Sequence, residues 1–155
     1  MVSSTDGPGP ELGRRLGYLL KHAQLRMAEL NGQALAPYGI DGRELGVLLV
    51  LAGGREPASQ QQAAQRLGID RTTMVALLDT LEGKGLVSRH PHVDDRRRNV
   101  VELTEAGQDT LRRATEASDE AERKFLAPLS SQAAQHLRDS LQTIVTQPGS
   151  QTSKS

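Results

Sequence analysis

At 155 residues the chain is long enough for one domain with a sizeable core and too short for two ordinary ones. Its 19 Lys and Arg balance 19 Asp and Glu, so any polyanionic partner has to meet a local basic face, because the net charge offers no attraction. The absence of cysteine excludes disulfides, thiolate nucleophiles, cysteine-ligated metals and thiol-based peroxide sensing, and an aromatic content of 2% without Trp argues against reading single-stranded nucleic acid by base stacking.

The ends MVSSTDGPGP and TQPGSQTSKS are small, polar and broken by Pro and Gly, which leaves residues 1–10 and 148–155 as expected disordered tails. The N-terminus has no apolar signal core, and no run approaches the roughly 18 apolar residues of a spanning helix. A cytoplasmic protein is expected. Between the tails, Leu12, Leu16, Leu19, Ala23, Met27, Leu30 and Ala34 recur at three-and-four spacing, one stripe of a long helix that should stop before Pro37. Asp41 with Glu44 three residues on caps a second, well-buried helix ending at Gly53-Gly54. Ser59 and Gln62 form a capping box for a third, closed by Gly68. Asp70 caps a fourth, with Met74, Leu77, Leu78 and Leu81 inward and Gly83 and Gly85 at its end.

The period then changes. Leu86 to Arg89 and Asn99 to Leu103 are two β-prone runs around HPHVDDRRR, which predicts one hairpin with a basic tip. Thr104 caps a fifth helix through Leu111, Ala114, Ser118, Ala121 and Phe125 that ends near Pro128, and a sixth starts at Ser130 or Ser131 with Leu137, Leu141, Ile144 and Val145 on its apolar side. No internal repeat is present. The expected fold is mainly α with a small β-hairpin.

Helices three and four fit a helix-turn-helix: Ala64 permits close approach, Gly68 relieves the turn, and Met74 and Leu77 anchor inward. In such a unit the second helix enters the major groove N-terminus first, which makes Arg71, Thr72 and Thr73 candidates for reading bases and phosphates. Ser59, Gln60 and Gln61, at the head of the preceding helix, join the candidate DNA contacts. The hairpin is then a wing. Arg96, Arg97 and Arg98 at its tip, with Arg89 on its first strand, suit a narrow minor groove, and Asp95 is expected to hold an arginine in an extended pose. A metal reading of HPHVDD, which superficially resembles a His-x-His-x-Asp-His ligand run, needs further histidines and a βαβ scaffold. Only His22 and His136 remain, both in helical segments, so neither a metal site nor any other cofactor is expected. No nucleophile-base pair or phosphate loop supports an enzyme.

Together these residues resemble the MarR family of bacterial transcriptional regulators over residues 11 to 147. The resemblance is carried by Leu67-Gly68-Ile69-Asp70, by Leu81-Glu82-Gly83-Lys84-Gly85-Leu86-Val87, by Asp95-Arg96-Arg97, and by Leu103-Thr104-Glu105-Ala106-Gly107. His90 and His92 stand where arginine and an acid are frequent. The resemblance implies a winged helix-turn-helix over about 40–104, flanked by dimerisation helices over about 11–36 and 105–146. It also implies a homodimeric repressor of double-stranded DNA, released by a small, often phenolic or amphipathic effector in the cleft between the dimer region and the winged unit. His22, Arg26 and Tyr38 are the candidate effector contacts. The competing class is a winged-helix protein-interaction module without specific DNA binding, against which Arg71 and Arg96 to Arg98 count.

Overall fold

The structure is a computed structural model that describes residues 7–147. The expected disorder of residues 1–6 and 148–155 concerns positions outside those described. Among the described residues, six α-helices and three short strands follow one another as α1 (Leu16–Leu35), α2 (Gly42–Ala52), β1 (Ala58–Ser59), α3 (Gln60–Leu67), α4 (Arg71–Gly83), β2 (Val87–Pro91), β3 (Asn99–Leu103), α5 (Glu105–Leu126) and α6 (Ser131–Thr146).

The first helix starts later than its apolar stripe suggests. Leu12–Arg14 form a separate 3-10 turn, and Arg15, at φ −71° and ψ 130°, breaks the helix before Leu16. At its other end α1 stops ahead of Pro37 as expected, and the chain tightens into a 3-10 turn, Ala36–Tyr38, which Gly39 closes in the left-handed region. Leu35, outside the predicted stripe, is the one fully buried residue of α1.

The helix caps form as read from the sequence. Asp41 and Glu44 exchange hydrogen bonds in a complete capping box, as do Ser59 and Gln62. Asp70 accepts from the Thr73 amide, and Thr104 from the Gly107 amide. Behind them lies one hydrophobic core of Leu45, Val47, Leu48, Ala63, Met74, Leu78, Leu81, Val87 and Val101, joined by Leu35 from α1 and Ala114 from α5. This burial ties the winged unit to both flanking helices.

The sheet has one strand more than the predicted hairpin. Its order is β1-β3-β2, all antiparallel, with Ala58 opposite Val101 and Ser59 opposite Val100. A two-residue strand is too short to show alternation; pairing with β3 alone creates it. In the hairpin Val87 faces Leu103 and Pro91 faces Asn99, so proline ends the edge strand where no ladder donor is required.

Outside the winged unit, α1 and α5 lie against each other, with the Ser118 hydroxyl donating to Asn31 Oδ1 at 2.8 Å. In contrast, α6 contains no buried residue and touches its own chain lightly, with Arg138 paired with Glu122 on α5. Its predicted apolar side is open: Ile144 is 68% and Val145 80% exposed, and Leu16 and Leu19 on α1 are likewise exposed. No helix among the described residues is long and apolar enough to cross a membrane.

Candidate nucleic-acid interface

The turn between α3 and α4 sets the geometry. Gly68 adopts φ +67°, and Ile69 N donates back to Ala64 O at 3.1 Å, so the chain reverses within two residues. Buried Ala63 and Ala64 allow α4 to pack closely across α3. The N-terminus of α4 thereby stands clear, with Arg71 and Thr72 exposed. Thr73 is different. Its hydroxyl donates to Asp70 Oδ1 at 2.5 Å and its amide to Asp70 Oδ2 at 3.1 Å, which commits it to the cap. These two bonds, the hydroxyl's first, hold the Asp70 carboxyl below the usual carboxylate range.

The preceding helix is similarly divided. Ser59 Oγ accepts from the Gln62 amide while the Ser59 amide donates to Gln62 Oε1, and the Gln60 side-chain oxygen accepts from Arg89 Nη1 at 3.3 Å. Only Gln61 of the three is exposed and uncommitted. The spacing of Ser59 and Gln62 already showed the first commitment; the second depends on a contact 29 residues away.

At the wing, His92 N donates to Arg98 O at 2.8 Å and Arg98 N to Asp95 O at 3.0 Å, which close the loop at its base and tip. The Asp95 carboxylate accepts from the Arg97 amide at 3.0 Å. Asp95 thus shapes the loop through backbone, as an Asx turn does, and does not hold a guanidinium as the sequence suggested. Asp94 N donates to His92 Nδ1 at 3.1 Å, and His90 Nε2 lies 3.8 Å from Glu102. Arg96, Arg97 and Arg98 are exposed and enter no ion pair among the described residues.

Arg89 departs from this pattern. It points from β2 onto α4, where it meets Asp79 at 2.5 Å and Glu82 at 3.2 Å. Its side chain is only 20% exposed. Asp79 and Glu82 were not singled out in the sequence; they sit three apart on one face of α4, but nothing local announces the arginine they share.

The candidate effector residues do not converge within one chain. His22 stacks on Tyr18 at a ring separation of 4.1 Å, Arg26 pairs with Glu29 at 3.6 Å, and Tyr38 lies on the 3-10 turn. An open cleft of about 620 Å³ between α5 and the winged unit is lined instead by Leu51, Arg55, Val101, Leu111 and Arg112 among others.

The sequence pattern of the MarR family matches residues 38–98, from the 3-10 turn through the helix-turn-helix to the wing tip. A transcriptional repressor, CouR, solved bound to a 23-mer DNA duplex, is 37% identical with a TM-score of 0.82, covering 87% of this chain and 95% of that one. The chain belongs to the MarR family. CouR from Rhodococcus jostii RHA1, solved with p-coumaroyl-CoA, covers 88% of this MarR-family chain and 96% of its own at 28% identity and a TM-score of 0.77. The transcriptional regulator PecS of Dickeya dadantii (strain 3937) is 32% identical over 108 residues, 68% of this chain. Those residues span 65% of PecS, just under two thirds of its length.

Proposed function

We propose that this MarR-family chain is a cytoplasmic, sequence-specific regulator of transcription that binds double-stranded DNA as a homodimer on a pseudo-palindromic operator, as a repressor released by a small amphipathic or phenolic effector. The observation that carries the reading is the joint exposure, on one rigid unit, of Arg71 and Thr72 at the start of α4 and of Arg96 to Arg98 at the wing tip. The helix start presents donors and partial positive charge to base edges and phosphate. The wing adds guanidinium groups that suit a narrow minor groove. The structural relative CouR, itself solved on duplex DNA, supports the same use of the fold.

Dimerisation is supported by the uncovered apolar sides of α1 and α6, which a matching pair from a second copy would bury. A two-fold dimer spaces its recognition helices by about 34 Å, one turn of duplex. Effector release is supported by the cleft between α5 and the winged unit and by the CouR of Rhodococcus jostii RHA1, which was solved with p-coumaroyl-CoA, a phenolic acyl thioester. His22 and Arg26, one turn apart on α1, belong to the helix that a partner would cover, so their role as effector contacts is proposed for the dimer.

The test is a titration of purified protein into a fluorescently labelled duplex from its own upstream region, beside a scrambled duplex, at two salt concentrations. Tight, salt-sensitive preference for the upstream duplex is expected of a local regulator. Equal weak binding to both would put the protein-interaction reading ahead.

A further inference from the structure

The first strand of the wing carries an arginine with a different task from those at the tip. The Arg89 guanidinium uses Nε and Nη2 on the two oxygens of Glu82, both at 3.2 Å, Nη2 also on Asp79 Oδ1 at 2.5 Å, and Nη1 on Gln60 Oε1 at 3.3 Å. One planar group therefore joins the first residue of α3, the second half of α4 and strand β2. A guanidinium is the side chain suited to this, because its donors lie in a fixed fork that a carboxylate meets two at a time. We infer that Arg89 is a positioning residue, one that sets the angle of the wing against the recognition helix and acts on DNA through Asp79 and Glu82 without touching it. This rests on the DNA-binding reading above and deepens it.

Three observations exclude a phosphate contact as its main work. The side chain is one-fifth exposed, whereas Arg96 to Arg98 are exposed residues. Its single positive charge stands between two carboxylates, so the cluster carries a net negative charge and would not attract a polyanion. Its donors are already directed at protein acceptors, and Glu82 is held in its charged form chiefly by the hydrogen bond from Arg89. Leverage makes the angle matter. The wing tip lies about four residues beyond Arg89, or about 13 Å along the hairpin, so a tilt of about 10° moves the tip by about 2 Å. That displacement is enough to lose the distance and direction of a hydrogen bond.

The experiment measures duplex affinity of the full chain, wild type beside the double variant Asp79→Asn with Glu82→Gln, with and without Arg97→Ala. Removing two negative charges beside DNA and releasing an arginine should tighten binding if Arg89 is a direct contact or a bystander. The positioning role gives the opposite sign: cognate affinity falls about tenfold, and the log-log salt slope becomes shallower by about one unit as a wing contact disengages. Arg97→Ala should then cost less in that background than in wild type, because the wing is already out of place. Arg89→Lys, which keeps charge but not the fork, should behave like the double variant and serves as the second route should that one unfold. Tighter or unchanged binding of the double variant, or losses that simply add with Arg97→Ala, would overturn the inference. Failure of the wild type to prefer any duplex would instead remove the DNA-binding reading itself.

Discussion

Gly107 lies so close beneath Leu86 that a Cβ at its position would stand 1.9 Å from the Leu86 carbonyl oxygen. The same carbonyl accepts from the Thr104 amide at 3.0 Å, and the Thr104 hydroxyl donates to Gly85 O at 2.6 Å. The Leu103-Thr104-x-x-Gly107 segment is thus the joint at which β3 becomes α5 and docks on the turn after α4. Alanine for glycine inside a helix ordinarily gains up to about 1 kcal/mol; here Gly107→Ala should instead lose about 2–3 kcal/mol to overpacking against backbone. Urea unfolding at fixed protein concentration measures it, and a midpoint at or above wild type would contradict this account.

A second joint lies at the far end of α4. Buried Glu44 accepts from the Asp41 amide through Oε1 and from Lys84 Nζ through Oε2 at 2.7 Å, and Lys84 Nζ also donates to Gly39 O at 2.7 Å. Lys84→Met leaves that carboxylate short of a partner and should cost about 2 kcal/mol. Adding Glu44→Gln should then cost less than it does alone. Additive losses in a double-mutant cycle would show that the pair is not coupled.

Base reading and backbone affinity should separate between α4 and the wing. Arg97→Ala is expected to weaken all duplexes together and to flatten the salt dependence by about one unit of log-log slope. Arg71→Ala should relax the preference between cognate and scrambled sequences, a loss of about 1–3 kcal/mol confined to the cognate site. Equal losses on both duplexes would refute that role for Arg71.

The open side of α6 predicts its own weakness. Leu141→Glu with Ile144→Glu places charge where a second copy is proposed to pack. Sedimentation should then show monomer, and affinity for a two-half-site duplex should fall by about 100-fold as bivalent binding is lost. A dimer that persists in the variant would move the interface elsewhere.

Acid stability reports on the cap of α4. The folded Asp70 carboxyl titrates below its ordinary value because Thr73 donates its hydroxyl and amide to it. A depressed folded value means that the cap contributes fully above the unfolded value and loses its contribution as the pH falls through the folded one. The window therefore lies below about pH 4. Asp70→Asn keeps the acceptor without the charge, so its stability should depend less on pH in that window. Parallel profiles of variant and wild type would rule out the Asp70 charge as the cause.

The caps at Asp41, Ser59, Asp70, Thr104 and Ser130 were legible because each signal and its partner lie three residues apart, within one turn of backbone. The same locality made the helix-turn-helix and the wing readable, and with them the family. It also misled. Thr73 and Ser59 look like DNA contacts by position, yet their hydroxyls serve the caps, and Asp95 serves the loop backbone. What only the tertiary structure decided were relations across sequence distance: the strand Ala58–Ser59 made by β3, Gly107 under Leu86, and Lys84 on Glu44. Arg89 is the clearest instance, since four arginines near one wing are alike in sequence, and the three packed segments around it turn one into a clamp. Local hydrogen bonding and apolar period are written into neighbouring residues, but the partner of a charged side chain is set only when the core has brought distant segments together.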